Sequence, residues 1–477
     1  MTSRGRRAAR LAVAGVVLAV AAGGFVAWRR PRPNLIVVVV DTLRADRLGA
    51  YGNRRGLTPF LDELARRGTV FAHAYAGSSW TCPSVASLLT SRLPTEHGVT
   101  TYDAVLPARE VTLPEVLAPP AHGRLRQALA GDYLTGGITG NFRLTAALGY
   151  AQGFRTWRAL GTMRKPRGTS VTHKALAWAE TANARWWNRW LPRPVFLYLQ
   201  YMDPHAPYEP RPALAARFVP RGDGFDPATL NKQLVDMSWE AISPAGTAQL
   251  SSLYDAEVAQ VDAALAGLFA GLDARGLLRD AVVVVTGDHG EEFRDHGLLE
   301  HGLSLYNETL EVPLLVSGRD VPRGRVVPDA VSLLDVAPTL LDLAGIPAER
   351  RFEGRSLVPL LRGERWPPRV VEADLLPSVD ASSDIALHFA AVVGARKKLI
   401  LRRRPMAFFG ALELYDLALD PAEKLLQPID ASPDVRPLVL AIRGAKARIA
   451  RRRGGPAETA PVDHETRKRL RALGYVN

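Results

Sequence analysis

Three apolar runs constrain this chain most, because each stops abruptly at residues that carry chemistry. The first is Asn34-Leu-Ile-Val-Val-Val-Val40, followed directly by Asp41-Thr42. It is apolar at every position after Asn34 and mostly β-branched. That pattern predicts a strand buried on both faces of a mainly parallel sheet. The second run, Pro194-Val-Phe-Leu-Tyr-Leu199, leads into Met202-Asp-Pro-His-Ala-Pro-Tyr208. The third, Ala281-Val-Val-Val-Val285, leads into Thr286-Gly-Asp-His-Gly-Glu291. After Glu300-His-Gly-Leu-Ser-Leu-Tyr306, a fourth strand is expected at Val312-Pro-Leu-Leu-Val316. Helical stretches fall between, chiefly over residues 172–191 and 247–278. A shorter helix is expected after Thr58 as cap, with Pro59 at its first position and Gly68 past its end. Alternating strands and helices argue for a three-layer α/β/α domain. In such sheets ligands bind at the carboxyl ends of the strands.

Asp41, His205 and the pair Asp288–His289 would therefore meet at one edge of one sheet. Two carboxylates and an imidazole, with a hydroxyl nearby, suit a hard divalent cation. Such a cation would acidify a bound hydroxyl and neutralise charge on an ester anion. The hydroxyl comes from Gly77 to Arg92, GSSWTCPSVASLLTSR. Pro83 suits the first turn of a helix, and Val85, Leu88 and Leu89 continue it at helical spacing. Thr81 thus sits at or just before a helix N-terminus, where free N–H groups and the dipole favour an anion. It reads either as a cap or as a nucleophile.

The net charge is +13 over 477 residues, but it is unevenly placed. Residues 1–33 hold seven Arg and no acid, and residues 443–477 hold ten basic and three acidic residues. An excess of +7 at each end leaves −1 for residues 34–442. This argues against a nucleic-acid partner and for membrane orientation plus a basic tail. The one cysteine, Cys82, excludes an intramolecular disulfide and any multi-cysteine metal site. Residues 11–28 are uncharged, with four Arg before them and three soon after. That length is near the lower limit for a spanning helix, and the Arg balance puts the N-terminus inside. The expected arrangement is a single-pass anchor with the body on the extracytoplasmic side. A cleaved signal peptide is the competing reading, since residues 19–24 are mostly small.

These motifs, in this order, resemble the sulfatases of the alkaline-phosphatase superfamily. The matching residues are Asp41-Thr42-Leu-Arg-Ala-Asp-Arg-Leu-Gly-Ala-Tyr51, Trp80-Thr-Cys-Pro-Ser84 with Leu88-Leu-Thr90, and Asp203-Pro-His-Ala-Pro207. Thr286-Gly-Asp-His-Gly290, His301-Gly302, Asp335-Val-Ala-Pro-Thr-Leu-Leu341 and Glu413-Leu-Tyr-Asp-Leu417 complete the series. The resemblance spans residues 34 to 430. It implies that Asp41, Asp288 and His289 hold a metal and that Thr81 is the nucleophile, its oxygen also facing the metal. It implies that His205 contacts the non-bridging oxygens or the leaving group. His301 stands where the family commonly has Lys, and it would bind the anion or protonate the departing oxygen. Gly140-Asn-Phe-Arg-Leu144 resembles the Gly-Lys-Trp-His-Leu segment, making Asn141 and Arg143 candidate substrate contacts.

The departures from the family pattern bear on mechanism. Type I sulfatases convert the Cys of Cys-x-Pro-x-Arg to formylglycine. Here Cys82 is one place too late and Val85 stands at the Arg position, so no formylglycine is expected and Cys82 reads as a buried apolar residue. Thr42 replaces a second Asp. A formylglycine hydrate can expel sulfate by elimination, but Thr has one oxygen, so water or an alcohol must attack a Thr-bound intermediate. His289, in place of an Asn, tilts the metal toward manganese, with calcium and zinc open.

From about residue 370 the pattern changes. Residues 390–401 suggest a hairpin and residues 413–417 a further short strand, as in the small antiparallel C-terminal subdomain that the resemblance implies. The expected organisation is a basic N-terminus (1–10), an anchor (11–28), a catalytic domain (34–370), this subdomain (371–430) and a basic helical tail (431–477). The expected activity is hydrolysis of a sulfuric, phosphoric or phosphonate ester. A phosphoethanolamine- or phosphoglycerol-type transferase acting on an envelope lipid or glycan is one alternative, and a non-catalytic binding protein is another.

Overall fold

The structure is a computed structural model of the chain. It describes residues 32–119, 132–161, 165–183, 193–220, 226–367, 369–376, 388–393, 396–402, 412–430 and 432–452. The anchor expected over 11–28 and the end of the basic tail lie outside those residues. Among the described residues, no helix is long and apolar enough to cross a membrane.

Eight strands form the main sheet. They are β1 (Asn34–Val40), β2 (Gly68–Tyr75), β3 (Leu134–Thr139), β4 (Thr156–Ala159), β5 (Val195–Tyr201), β6 (Ala281–Gly287), β9 (Glu311–Gly318) and β10 (Arg325–Ser332). A two-residue ladder, β7 (Glu292–Phe293) with β8 (Leu299–Glu300), lies between β6 and β9 in the chain. The strand order is β10-β2-β9-β6-β1-β5-β3-β4. Every neighbouring pair is parallel except the two made by β9. The three runs that end in chemistry are therefore the adjacent central strands β6, β1 and β5. Val40 pairs with both Tyr201 and Gly287, so their carboxyl ends are level.

The continuous apolar pattern of β1 has a direct structural cause. Leu35, Val37 and Val39 pack into one core, and Ile36, Val38 and Val40 into another on the opposite face. Each of these side chains contributes about 1.5–3 kcal/mol by leaving water. The first core includes α2 (Thr81–Thr90) and α5 (Val336–Leu343). The second includes α1 (Pro59–Arg66), α3 (Gly168–Asn183) and α4 (Pro244–Ala274). Helices thus cover both faces, as the alternation predicts. Pro59 opens α1 as expected, but Thr58 does not cap it. The Thr58 hydroxyl donates to Asp62 at 3.0 Å. The carboxylate of Asp262, from α4, accepts from the Phe60 and Leu61 amides at 3.0 and 2.9 Å.

The second sheet is antiparallel, in the order β11 (Val370–Leu375), β12 (His388–Val393), β13 (Lys397–Arg402), β14 (Leu412–Asp416). β12 and β13 are the expected hairpin, although residues 394–395 at its turn lie outside the described set. The last described helix, α6 (Arg436–Arg452), packs Leu438 and Ile442 against this sheet.

Candidate active site

Thr81 is the first residue of α2, and the ten residues of that helix are all buried. Trp80 before it is extended, at φ −154°, and caps nothing. The Thr81 hydroxyl lies 3.3 Å from Asp41 Oδ1 and 3.2 Å from His289 Nε2. Ser84, one turn on, donates to the Asp288 carbonyl at 2.6 Å and ties this helix to the end of β6. Cys82 packs in the core at 2% exposure, and burial pushes its thiol up, as expected of an apolar role.

The carboxylates are held by the turns that follow their strands. Thr42 has φ 57°, a left-handed conformation that costs a β-branched residue about 1–2 kcal/mol. The turn brings the Thr42 amide 3.2 Å from Asp288 Oδ1. The His289 amide donates to the same oxygen at 3.0 Å. Gly290 allows the next step of the chain, since a Cβ there would stand 2.0 Å from the Glu308 carbonyl. Its own carbonyl lies 2.9 Å from His289 Nδ1, which orients the ring with Nε2 toward Asp41 Oδ1, 3.6 Å away.

Burial shapes the electrostatics. It raises the Asp288 pKa well above the usual carboxylate range, and the charge of Asp41 adds to the effect. Among the described residues neither carboxylate is paired with an Arg or Lys. Burial, with His301 nearby, lowers His289 to about 3, so its imidazole is neutral and open to act as a ligand. One ligand atom from each of Asp41, Asp288 and His289 lies within 4.8 Å of the others, all three residues being buried. Two buried carboxylates that lack a cationic partner, beside a neutral imidazole, make a donor set that fits a divalent cation.

Two further histidines adjoin this cluster. The His301 ring is 4.5 Å from that of His289 and 4.9 Å from that of His205. His205 Nδ1 lies 2.6 Å from the Ala206 carbonyl, in the loop after β5. His301 Nδ1 lies 2.8 Å from Glu291 Oε1, and Tyr208 donates its hydroxyl to Glu291 Oε2 at 3.0 Å. Burial lowers His301 to about 3 and raises Glu291 to about 7.

The Gly140–Leu144 segment also reaches the site. Asn141 donates from Nδ2 to Asp41 Oδ2 at 2.8 Å and accepts from the Arg143 amide at 2.8 Å. The Arg143 guanidinium stands 5.7 Å from the centre of the Tyr102 ring. Its Nε and Nη2 are buried and make no hydrogen bond among the described residues. The structure thus gathers Asp41, Thr81, Asn141, Asp288 and His289 into one hydrogen-bonded cluster. His205 and His301 join it through ring contacts, and Arg143 through Asn141.

Sequence reasoning missed Gln200, Glu291 and Tyr208. Gln200 lies within β5 and donates to both Asp41 and Asp288. Its signal was a lone amide near the end of an otherwise apolar run. Glu291 stood in plain view as the acid after Asp288-His-Gly, but nothing local pointed to His301 as its partner.

The sulfatase family profile matches residues 33–346, about two thirds of the chain. The chain belongs to the sulfatase family. A second profile, N-sulphoglucosamine sulphohydrolase, C-terminal, matches residues 294–443. Arylsulfatase K of Gallus gallus is 29% identical over 368 residues, covering 69% of this chain and 66% of that protein. The match thus spans about two thirds of the relative's length. Solved sulfatase-fold neighbours share the architecture. A protein in complex with its substrate D-glucosamine-2-N,6-O-disulfate has a TM-score of 0.68 at 19% identity, covering 88% of this chain and 98% of its own. The phosphonate monoester hydrolase of Agrobacterium radiobacter has a TM-score of 0.62 at 20% identity, covering 91% and 99%.

Proposed function

We propose that the protein is a membrane-anchored hydrolase of anionic esters, acting on sulfate esters with Thr81 as nucleophile. One observation carries this reading: the Thr81 hydroxyl lies between Asp41 and His289, at a helix N-terminus. Asp41, Asp288, His289 and the Thr81 oxygen would hold a divalent cation, manganese by preference, which would supply charge neutralisation at the ester and a more acidic hydroxyl. Thr81 Oγ1 attacks sulfur, the bond to the leaving oxygen breaks, and the group is left esterified to Thr81. Water then attacks the same centre, releasing the anion and restoring the hydroxyl. A Thr ester has no second hydroxyl to expel it, so this second displacement is required.

The imidazoles handle the proton and the oxygens. Glu291 accepts from His301 Nδ1 and leaves Nε2 as a base, which would take the Thr81 hydroxyl proton and pass it to the departing oxygen, then take a proton from the entering water and return it to Thr81. His205 faces the ester oxygens. The unpartnered Arg143 N–H groups take up anionic charge on the substrate. Asn141 has its amide engaged by Asp41 and acts through that carboxylate. Phosphonate monoester hydrolases among the structural neighbours favour a second reading, the same displacement at phosphorus.

A substrate panel tests the proposal: an aryl sulfate, a phosphate monoester, a phosphodiester and a phosphonate ester, each with and without an alcohol acceptor and added Mn²⁺. Hydrolysis of the aryl sulfate is expected, and Thr81→Ala is expected to lose about 10³-fold or more in kcat. Equal turnover by the two proteins would remove Thr81 from its role. Transfer to the alcohol in place of water would make the enzyme a transferase.

A further inference from the structure

β5 carries one amide, next to its last residue, on an otherwise apolar run, and that residue is fully buried: Gln200. It pairs in register with Val39 of β1, one position before Asp41's strand ends. The period of two along a strand puts it on the same face as Tyr198. Gln200 Nε2 lies 2.9 Å from Asp288 Oδ2 and 3.3 Å from Asp41 Oδ2. Its Oε1 accepts the Tyr198 hydroxyl at 2.5 Å. The hydroxyl bond fixes which end of the amide faces the carboxylates, because only the oxygen end can accept. Asn141 adds a second amide donor to Asp41 Oδ2, at 2.8 Å. Both Oδ2 atoms are thereby occupied by amide N–H groups. Both Oδ1 atoms face the other way: that of Asp41 is 3.3 Å from the Thr81 hydroxyl and 3.6 Å from His289 Nε2, and that of Asp288, which accepts the Thr42 and His289 amides at 3.2 and 3.0 Å, is 3.8 Å from His289 Nε2.

We infer that Gln200 is a positioning residue that makes each carboxylate offer a single oxygen to a cation, and so selects a smaller transition-metal ion over calcium. The inference rests on the reading of this cluster as a metal site. Calcium takes six to eight oxygens and commonly engages carboxylates through both. An ion such as Mn²⁺ is satisfied by fewer donors and accepts imidazole. With Gln200 bridging the two Oδ2 atoms, neither carboxylate can turn both oxygens inward without giving up an amide bond in a buried setting. A Glu at this position would instead add a third negative charge beside the two already there.

The test uses the full chain, stripped of metal with a chelator and titrated by calorimetry with Mn²⁺ and, separately, with Ca²⁺. The parent is expected to bind Mn²⁺ more tightly. Gln200→Met keeps the length and removes the donor. It is expected to weaken Mn²⁺ by about tenfold or more and Ca²⁺ by less, so that the preference narrows. Tyr198→Phe leaves Gln200 in place but frees its amide to turn, and it is expected to narrow the preference in the same direction. That variant carries the test if Gln200→Met fails to fold. An unchanged Mn²⁺ to Ca²⁺ ratio in the variant that folds overturns the inference and leaves the metal site standing. Failure of the parent to bind either ion overturns the metal site itself.

Discussion

At the scale of single residues, the site works by assigning each polar atom one task. The neutral His289 ring has Nδ1 committed to the Gly290 carbonyl, so Nε2 is available to the cluster. His301 is oriented the same way by Glu291, with Tyr208 fixing the carboxylate in turn. On the proposed function, this division separates chemistry from binding. His301→Ala is therefore expected to lower kcat by about 10²–10⁴-fold while Mn²⁺ affinity, read by titration, is retained. Loss of metal binding by that variant would place His301 among the ligands instead. Residue placement was legible in the sequence where a motif sat at an element's end: Asp41, Asp288 and His289 after their strands and Thr81 at its helix start lie together as their positions implied. The partners that orient them were not legible. Gln200 and Asn141 approach Asp41 from 159 and 100 positions away, and such pairings follow from strand order, which no local pattern encodes.

Elements show the same boundary between what is local and what is not. The apolar runs, the helix opened by Pro59 and the hairpin near the C-terminus depend on short-range patterning, and the structure has them. The cap of α1 depends on tertiary packing, which is why Thr58 was the wrong choice and Asp262 the actual one. Burial raises the Asp262 carboxyl to about 6, against the two amide bonds that lower it. A folded-state pKa above the unfolded value means that the folded chain binds the proton more tightly. The stabilising contribution is then complete below about pH 4 and is lost as pH rises through 6. Asp262→Asn keeps an acceptor for the helix but does not titrate. Relative to the parent it is expected to gain stability between pH 4 and 7, by up to about 3 kcal/mol, as read from denaturant melts at both ends of that range. A difference that stays flat with pH would show that the carboxyl titrates normally.

For the whole molecule, charge placement matters more than net charge. A nearly neutral body lies between two strongly basic ends, which suits a chain tethered at a membrane and folded beyond it. We expect a chain that begins at residue 34 to fractionate as soluble protein with its ester hydrolysis intact, and the full chain to sediment with membranes. Sedimentation of both would point to a surface on the folded body, and a soluble full chain would favour cleavage after residue 19. The two sheets are joined through buried polar contacts. Lys398 of β13 is fully buried, donates to Asn307 at 2.8 Å and meets Glu423 at 2.7 Å. Glu423 accepts from the Asn307 amide at 2.6 Å. The antiparallel sheet thus braces the stretch that follows His301, and it belongs to the catalytic unit in a way that its separate strand pattern did not suggest.

β9 is the exception to an otherwise parallel arrangement, and it lies directly beside β6. The chain leaves the sheet at Gly287 and returns at Glu311 next to its point of departure, with no crossover to complete. Everything between, including Asp288, His289, Glu291 and His301, is a single excursion pinned at both feet. Relatives could lengthen, shorten or exchange much of that excursion without rethreading a strand, which makes it the place where descendants of one scaffold can drift toward new leaving groups.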